Sequence, residues 1–315
     1  MSYHRFAVPA AFAVIYLVWG STYLAVAVAL TSIAPFMLMG SRSLIGGCLL
    51  LAGAWFGHRS IVDRCTWARA GLCGLLLFAG CHGTVAYAQQ RVSSGIAAVL
   101  LATIPFWIAL IGASLPGGER LRLTQLSLLG TGLVGVILIV MGQGQGPTGA
   151  AGYMDLGLLL GAALSWAVGT ILAERWSPPD REVAFAGTAL LAGGAMLMIM
   201  SAIRGELHSF HASVISSEAT AAWLYLTLAG TVLAFASYSW LLNQVPAALV
   251  ATYTFVNPLI ALLLGWAVLG EQLSIAMALG AALVTASVIG LLIGKDNKAS
   301  HKEPSRTVCA TRLRV

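Results

Sequence analysis

Residues Ala219–Gly270 form a run of 52 residues without one charged side chain. A water-soluble fold has no use for such a run, because each of its elements needs a face turned to solvent. A membrane helix does. A bilayer core of about 30 Å takes about 20 helical residues, so this stretch holds two spans, divided at Asn243-Gln244-Val245-Pro246. Inside the second, the sequence "ATYTFVNPLIALLLG" puts an amide and a proline, Asn257-Pro258, near mid-span. Proline removes a backbone donor and clashes with the preceding turn. That pair marks a place where regular helix is given up at depth.

The same reading extends along the chain. Hydrophobic residues are 59% of it and charged ones 9%, too few to cover a soluble surface. Charges punctuate it at span-length intervals. Phe6–Phe56 holds two spans divided near Thr31–Pro35, and is read as retained rather than as a cleaved signal. Ala70–Gln90, Val92–Gly118, Leu123–Met154, Leu156–Ala173, Val183–Ile203 and Gln272–Gly294 hold one each. The expectation is an all-α integral membrane protein of ten helices. The N-terminal arm, the loops after even-numbered spans and the tail carry fourteen Lys and Arg, and the opposite loops carry Arg91 and Arg204. Both termini are therefore expected in the cytoplasm. The tail, residues 295–315, is polar and basic, and is expected to be disordered and solvated or lipid-touching, with no nucleic acid.

Two stretches repeat. "VSSGIAAVLLATIPFWIALI" from Val92 and "VPAALVATYTFVNPLIALLL" from Val245 align without gaps, Pro105 on Pro258. Each leads to Gly-Glu, at Gly118-Glu119 and Gly270-Glu271. "VWGSTYL" at 18–24 is echoed by "WAVGTIL" at 166–172. The charge-free "GQGQGPTGAAG" at 142–152 separates a first half, 6–141, from a second, 153–294. Five spans per half is an odd number, so the halves enter the membrane in opposite senses, an inverted repeat of the kind many secondary transporters use.

These features, with "WGSTY" at 19–23, Pro35, Arg42, "GERL" at 118–121, "LSWAVGT" at 164–170 and "GEQLS" at 270–274, resemble the bacterial drug/metabolite transporter superfamily. The likeness is to its ten-helix exporters with two EamA-type repeats. It covers residues 6–294. It implies a multi-pass protein of the bacterial inner membrane with a central cavity between the repeats. It further implies alternating access and export of amino acids, small metabolites or drugs, without naming the cargo.

Several side chains are candidates for that cavity. Arg42 lies about eight residues into the second span, where a charge is costly unless it faces the bundle interior. Two roles are open: attracting an anionic group on cargo, or satisfying helix-end carbonyls. His82 lies mid-span with Gln89 along one face, either as a proton carrier or as a neutral hydrogen-bonded ring. Trp19, Thr22 and Tyr23 share a helix face, as do Trp166 and Thr170, and Tyr253 and Asn257; Trp107 and Tyr238 are added to this set. Aromatic walls with a few polar groups suit a small-molecule site, and packing is the competing role. Pro105 and Pro258 are expected kinks. Asp155 and Glu174 mark opposite ends of the sixth span, and Glu119 and Glu271 suit first helical turns. With no carboxylate expected at mid-membrane, facilitated diffusion and exchange with weak proton coupling through His82 both become credible, and the choice between them stays open. Gly53xxxGly57 and Gly157xxxGly161 are expected at close helix contacts.

Cys48, Cys65, Cys73, Cys81 and Cys309 form no CxxC pair, so no disulfide framework, metal site or cofactor is expected. The expected partners are the bilayer and small-molecule cargo; a homodimer is neither specified nor excluded. The competing classes are a polytopic membrane enzyme and a channel. For the first, "GASL" at 112–115 is a fragment without a base; for the second, no charged pore ring is visible. The absence of GxxxxGK[ST] disfavours ATP-driven pumping by this chain alone.

Overall fold

The structure, a computed structural model, describes residues 3–56, 63–114, 123–142, 151–179, 181–270 and 274–299. Among the described residues there are helices and no strand. Seven helical stretches are long and apolar enough to cross a membrane: Phe6–Ala29, Pro35–Phe56, Arg64–Ala88, Ser94–Ser114, Gly152–Trp176, Glu182–Ile203 and Ser217–Gln244. Three shorter apolar stretches, Leu123–Gly135, Val256–Leu269 and Ile275–Ser287, accompany them. Their outer faces are apolar too: Leu17, Leu133, Leu263 and Trp266 are each about 60% exposed. A surface of that kind is at home in lipid.

In chain order the helices are α1 (Tyr3–Ala29), α2 (Pro35–Phe56), α3 (Arg64–Gly74), α4 (Thr84–Ala88), α5 (Ser94–Leu101), α6 (Ile104–Ser114) and α7 (Leu123–Gly142). They continue as α8 (Ala151–Trp176), α9 (Glu182–Ile203), α10 (Ser217–Tyr225), α11 (Ala234–Gln244), α12 (Ala247–Val250), α13 (Tyr253–Leu269) and α14 (Ile275–Ala299). Helix α14 runs five residues past the expected end at Gly294, and α7 and α8 take Gly142, Ala151 and Gly152 from the expected linker. Glu119, Glu271, Gly57, Cys309 and most of the tail lie outside the described residues.

Four irregularities interrupt these rods. Leu75–Gly83 joins α3 to α4 as a wide π-helical segment, and Leu226–Leu233 joins α10 to α11 in the same way. Between α5 and α6 the chain tightens: Ala102 N–H bonds both Ala98 and Val99 carbonyls, and Thr103 N–H bonds Leu100. Between α12 and α13, Thr252 N–H bonds the Leu249 carbonyl and Thr254 N–H bonds Ala251. Threonine hydroxyls complete both breaks: Thr103 Oγ1 donates to Leu100, Thr252 Oγ1 to Leu249 and Thr254 Oγ1 to Ala251. The first break falls just ahead of Pro105. That proline then occupies the first turn of α6, where a missing N–H costs nothing. The second precedes Pro258, which sits inside α13.

Helix α9 packs against α2 and α3, α7 against α14, α1 against α13 and α11, and α8 against α3 and the Leu75–Gly83 segment. Glycine sets the closest crossings. A methyl group on Gly74 would collide with the Ala189 carbonyl, and one on Gly193 with the Gly74 carbonyl. Gly47 and Gly187 meet reciprocally, each within about 3 Å of the other's carbonyl if given a Cβ. Among the described residues, the expected contacts at Gly53, Gly157 and Gly161 are not made: nothing lies within 4 Å of a Cβ at any of them. These three face outward. In a helix that is apolar all round, a small-residue pair does not reveal which face is inside. Gly74→Ala is therefore expected to cost about 1–3 kcal/mol by overpacking against backbone. Gly157→Ala should leave stability unchanged, as read by thermal unfolding in detergent.

Candidate functional site

Trp19 of α1 is the hub of the interior. Its ring stands edge-on to Trp166 of α8 at 5.6 Å and to Tyr253 of α13 at 4.7 Å, and lies tilted against Tyr238 of α11 at 5.1 Å. Its indole N–H donates to the Gly230 carbonyl at 3.0 Å. Gly230 lies in the wide segment between α10 and α11, where the regular helical ladder is stretched. From Trp166 the stack continues to His82, parallel to it at 5.0 Å, and then to Phe78 and Phe235. Aromatic pairs of this kind add about 0.5–1.5 kcal/mol each beyond area burial.

Above this stack lies a cavity of about 60 Å³. Its lining includes Trp19, Thr22, Tyr23, Arg42, His82, Trp166, Tyr253 and Asn257, eight of the residues brought forward from the sequence. Thr170 and Tyr238 do not line it. They bond to each other, hydroxyl to hydroxyl, at 2.6 Å within the packed core. Trp107 also stands apart; its buried indole nitrogen has no partner among the described residues. The remaining lining residues are Val26, Met39, Cys81, Val85, Gln89, Leu101 and Ile104. Of these, Gln89 was marked by its spacing from His82, and Met39 and Val26 sit one helical turn from Arg42 and Thr22. The others carry no polar signal.

Arg42 is 4% exposed and carries the one formal charge among the described lining residues. It lies about 10 Å from the start of α2 at 1.5 Å per residue. Its Nη2 meets His82 Nδ1 at 3.1 Å. A guanidinium has no acceptor, so Nδ1 must accept; that puts the ring proton on Nε2 and makes His82 neutral. Among the described residues, Arg42 Nε and Nη1 have no hydrogen-bond partner, and Arg42 makes no ion pair with a carboxylate. Asn257 Oδ1 and Gln89 Oε1 are likewise buried without donors, while Gln89 Nε2 donates to the Tyr23 carbonyl at 3.2 Å. The cavity thus presents surplus donors on one group and surplus acceptors on two others. Buried groups left this way cost about 1–3 kcal/mol each.

Both ends of the bundle are tied by polar contacts. At one end Arg91 binds Asp155 through two hydrogen bonds, of 2.7 and 2.6 Å. Those bonds hold the Arg91 guanidinium above its ordinary pKa range. Arg91 and Arg204 both lie over the Tyr87 ring, which stacks on Phe36. Beside them Glu206 Oε2 accepts from Met37 N–H at the start of α2, after a left-handed turn at Gly205. At the other end Glu174 accepts from Ala247 N–H, and Asn243 donates to Ser177. Asp155 and Glu174 thus sit at opposite ends of α8. Ser114, of the "GASL" fragment, donates its hydroxyl to its own helix. No group of three or more metal-ligating side chains is found among the described residues.

Comparison with known proteins gives the context. The "EamA-like transporter family" model matches twice, over residues 8–141 and 154–293. The chain is 34% identical over 284 residues to the "Uncharacterized inner membrane transporter YedA" of Escherichia coli (strain K12), covering 89% of each. It is 28% identical over 277 residues to the "Uncharacterized transporter YoaV" of Bacillus subtilis (strain 168), covering 86% of this chain and 92% of that one. A solved structure described as "Crystal structure of protein" shares the fold at a TM-score of 0.67 and 21% identity, over 92% of this chain and 98% of that one. A family model that matches two consecutive stretches spanning nearly the whole sequence settles the assignment: the chain belongs to the EamA-like transporter family.

Proposed function

We propose that this protein is a secondary transporter of the bacterial inner membrane that exports small metabolites, amino acids or drugs. It does so by alternating access through the cavity beneath Arg42. The observation that carries the reading is the cavity's shared ownership. Trp19, Thr22, Tyr23, Arg42 and His82 come from the first family repeat, and Trp166, Tyr253 and Asn257 from the second. A site on the seam of two repeats changes its exposure when one repeat rocks against the other.

In this reading the seven long and three short apolar stretches are ten spans in two inverted sets of five. Paired irregularities support it: each set has one wide segment, Leu75–Gly83 or Leu226–Leu233, followed by one broken helix, α5/α6 or α12/α13. Neighbours pair as well, α1 with α13 as α8 with α5 and α6. The charge bias of the loops favours cytoplasmic termini, which puts the Arg91–Asp155 cluster outside. A cavity of about 60 Å³ is well below the roughly 300–1,000 Å³ of a pocket for a drug-sized ligand, so its walls must part for larger cargo. The Arg91–Asp155 pair joins the first repeat to the second and closes the outer end. Asp155 is 1% exposed, so separation of the pair must re-wet a buried carboxylate. An enzyme reading lacks support because the Ser114 hydroxyl is bonded to the Leu110 carbonyl of its own helix, and the relatives are named as transporters.

Two outcomes test this. Arg42→Met and Asn257→Ala should each lower export at least tenfold while lowering thermal stability by no more than about 1 kcal/mol, since Arg42 gives up one hydrogen bond, to a neutral ring, and the Asn257 Oδ1 removed has no donor among the described residues. Mass spectrometry of the medium, at equal membrane abundance, reads the first part; wild-type export from either variant would sink the site. For gating, Cys81 is a native reporter on the cavity wall. With the other four cysteines changed to serine, Asp155→Asn should speed its alkylation by an impermeant reagent from outside several-fold. Unaltered labelling would remove the pair from the gate.

A further inference from the structure

The cavity's unpaired groups define the charge of what it takes. We infer that the cargo is a small organic monoanion carrying a neutral N–H or O–H donor, bound in preference to the zwitterion or cation of the same skeleton. This rests on the transporter reading above and specifies it.

The argument begins with charge. Arg42 is buried and ionised, with Nε and Nη1 unpartnered and His82 as its sole hydrogen-bond acceptor among the described residues. His82 is a neutral acceptor and supplies no negative charge. No carboxylate is among the described lining residues. Asp155 is committed to Arg91 at the end of the bundle, and Glu174 to the Ala247 N–H at the opposite end. The site therefore carries a net charge of about +1 in a medium of low dielectric, where that charge is felt strongly. An entering anion makes up the missing partner. A carboxylate can meet one edge of the guanidinium, taking one bond from Nε or Nη1 and the other from the second hydrogen of Nη2, whose first is on His82.

The second half is the acceptors. Asn257 Oδ1 and Gln89 Oε1 line the same cavity, each buried below a tenth exposure and each without a donor. They ask for a donor on the cargo. Both are neutral amides, so a hydroxyl or amide N–H satisfies them without adding charge. An ammonium would bring a second cation into a cavity that already holds Arg42, with no carboxylate to offset it. Aromatic faces on Trp19, Tyr23, Trp166 and Tyr253 offer a cation some attraction, but at the scale of one cation–π contact rather than of an ion pair. The sum favours the net anion.

The test compares matched molecules that differ in charge. One set is 2-hydroxybutyrate, 2-aminobutyrate and 1-amino-2-butanol. A second, filling a larger opening, is phenyllactate, phenylalanine and phenylalaninol. Binding to the purified full chain in detergent is measured by calorimetry, and flux is followed in proteoliposomes. The expected result is that, in at least one set, the hydroxy acid binds at least tenfold tighter than the other two. Arg42→Ala should abolish that preference. Asn257→Asp, which cancels the net charge, should weaken the anion at least tenfold, and more than Asn257→Ala does.

Equal or tighter binding of the zwitterion or amine would overturn the inference, as would anion binding that survives Arg42→Ala. Failure of both hydroxy acids to bind would also overturn it. The transporter reading fails separately, by a different readout. Flux of zwitterion or amine without an anion preference keeps the transporter and discards this specificity. Solute passage with the cavity open to both sides at once discards the transporter for a channel.

Discussion

A backbone in hydrocarbon finds no water to bond with, so each N–H and carbonyl must be answered from within the protein. Everything irregular in this structure is organised by that demand. Where α5 gives way to α6, and α12 to α13, tight turns bond the carbonyls at the break and threonine hydroxyls add a second donor to the same oxygens. Where the turns widen between α10 and α11, Trp19 reaches across and donates to the Gly230 carbonyl. Three of the four departures border the cavity, through Cys81 and His82, through Leu101 and Ile104, and through Tyr253.

The same demand makes the unanswered groups informative. A fold that closes its backbone breaks so fully has nonetheless left Arg42, Asn257 and Gln89 incompletely paired around one space. A buried guanidinium without a counter-charge is a thermodynamic burden, and one that pairing with a carboxylate of the chain itself would have relieved. Carboxylates at the bundle ends are used elsewhere: Asp155 ties the halves at one end, where Glu206 caps the start of α2, and Glu174 caps a backbone at the other. The middle is left positive, while the ends are neutralised.

Much of this was legible in the sequence and some was not, for one reason. Charges are expensive in lipid, so their positions along the chain marked the spans, and Arg42 and Asn257 stood out as polar groups at depth. Aromatics next to small polar groups at helical spacing led to Trp19, Tyr23, Trp166 and Tyr253, which share one cavity. Inside and outside are both apolar here, so hydrophobic periodicity does not tell a lining residue from a lipid-facing one. That is why Val26, Met39, Leu101 and Ile104 gave no signal, and why Gly157 and Gly161 were assigned to a contact they do not make. Tyr238 and Thr170 had the right composition for a lining and instead bond each other. A contact such as Arg42 with His82, forty residues apart, depends on how two helices are rotated, and the wide segment that turns His82 inward has no marker in residue type.

The wide segments have a mechanical consequence. A π-turn holds one residue more than the α-helix around it, and one residue of α-helix is about 100° of rotation. Moving such a turn along its helix exchanges one set of hydrogen bonds for an equal set, so no bonds need be lost. Every side chain between the old and new positions swings by that angle. In Leu75–Gly83 the side chains in question include Cys81 and His82; Leu226–Leu233 carries the backbone carbonyl held by Trp19. A shift of this kind in Leu75–Gly83 would turn cavity-lining side chains about the helix axis. The wall of the cavity can be re-aimed by twist alone, with the helix axes left where they are.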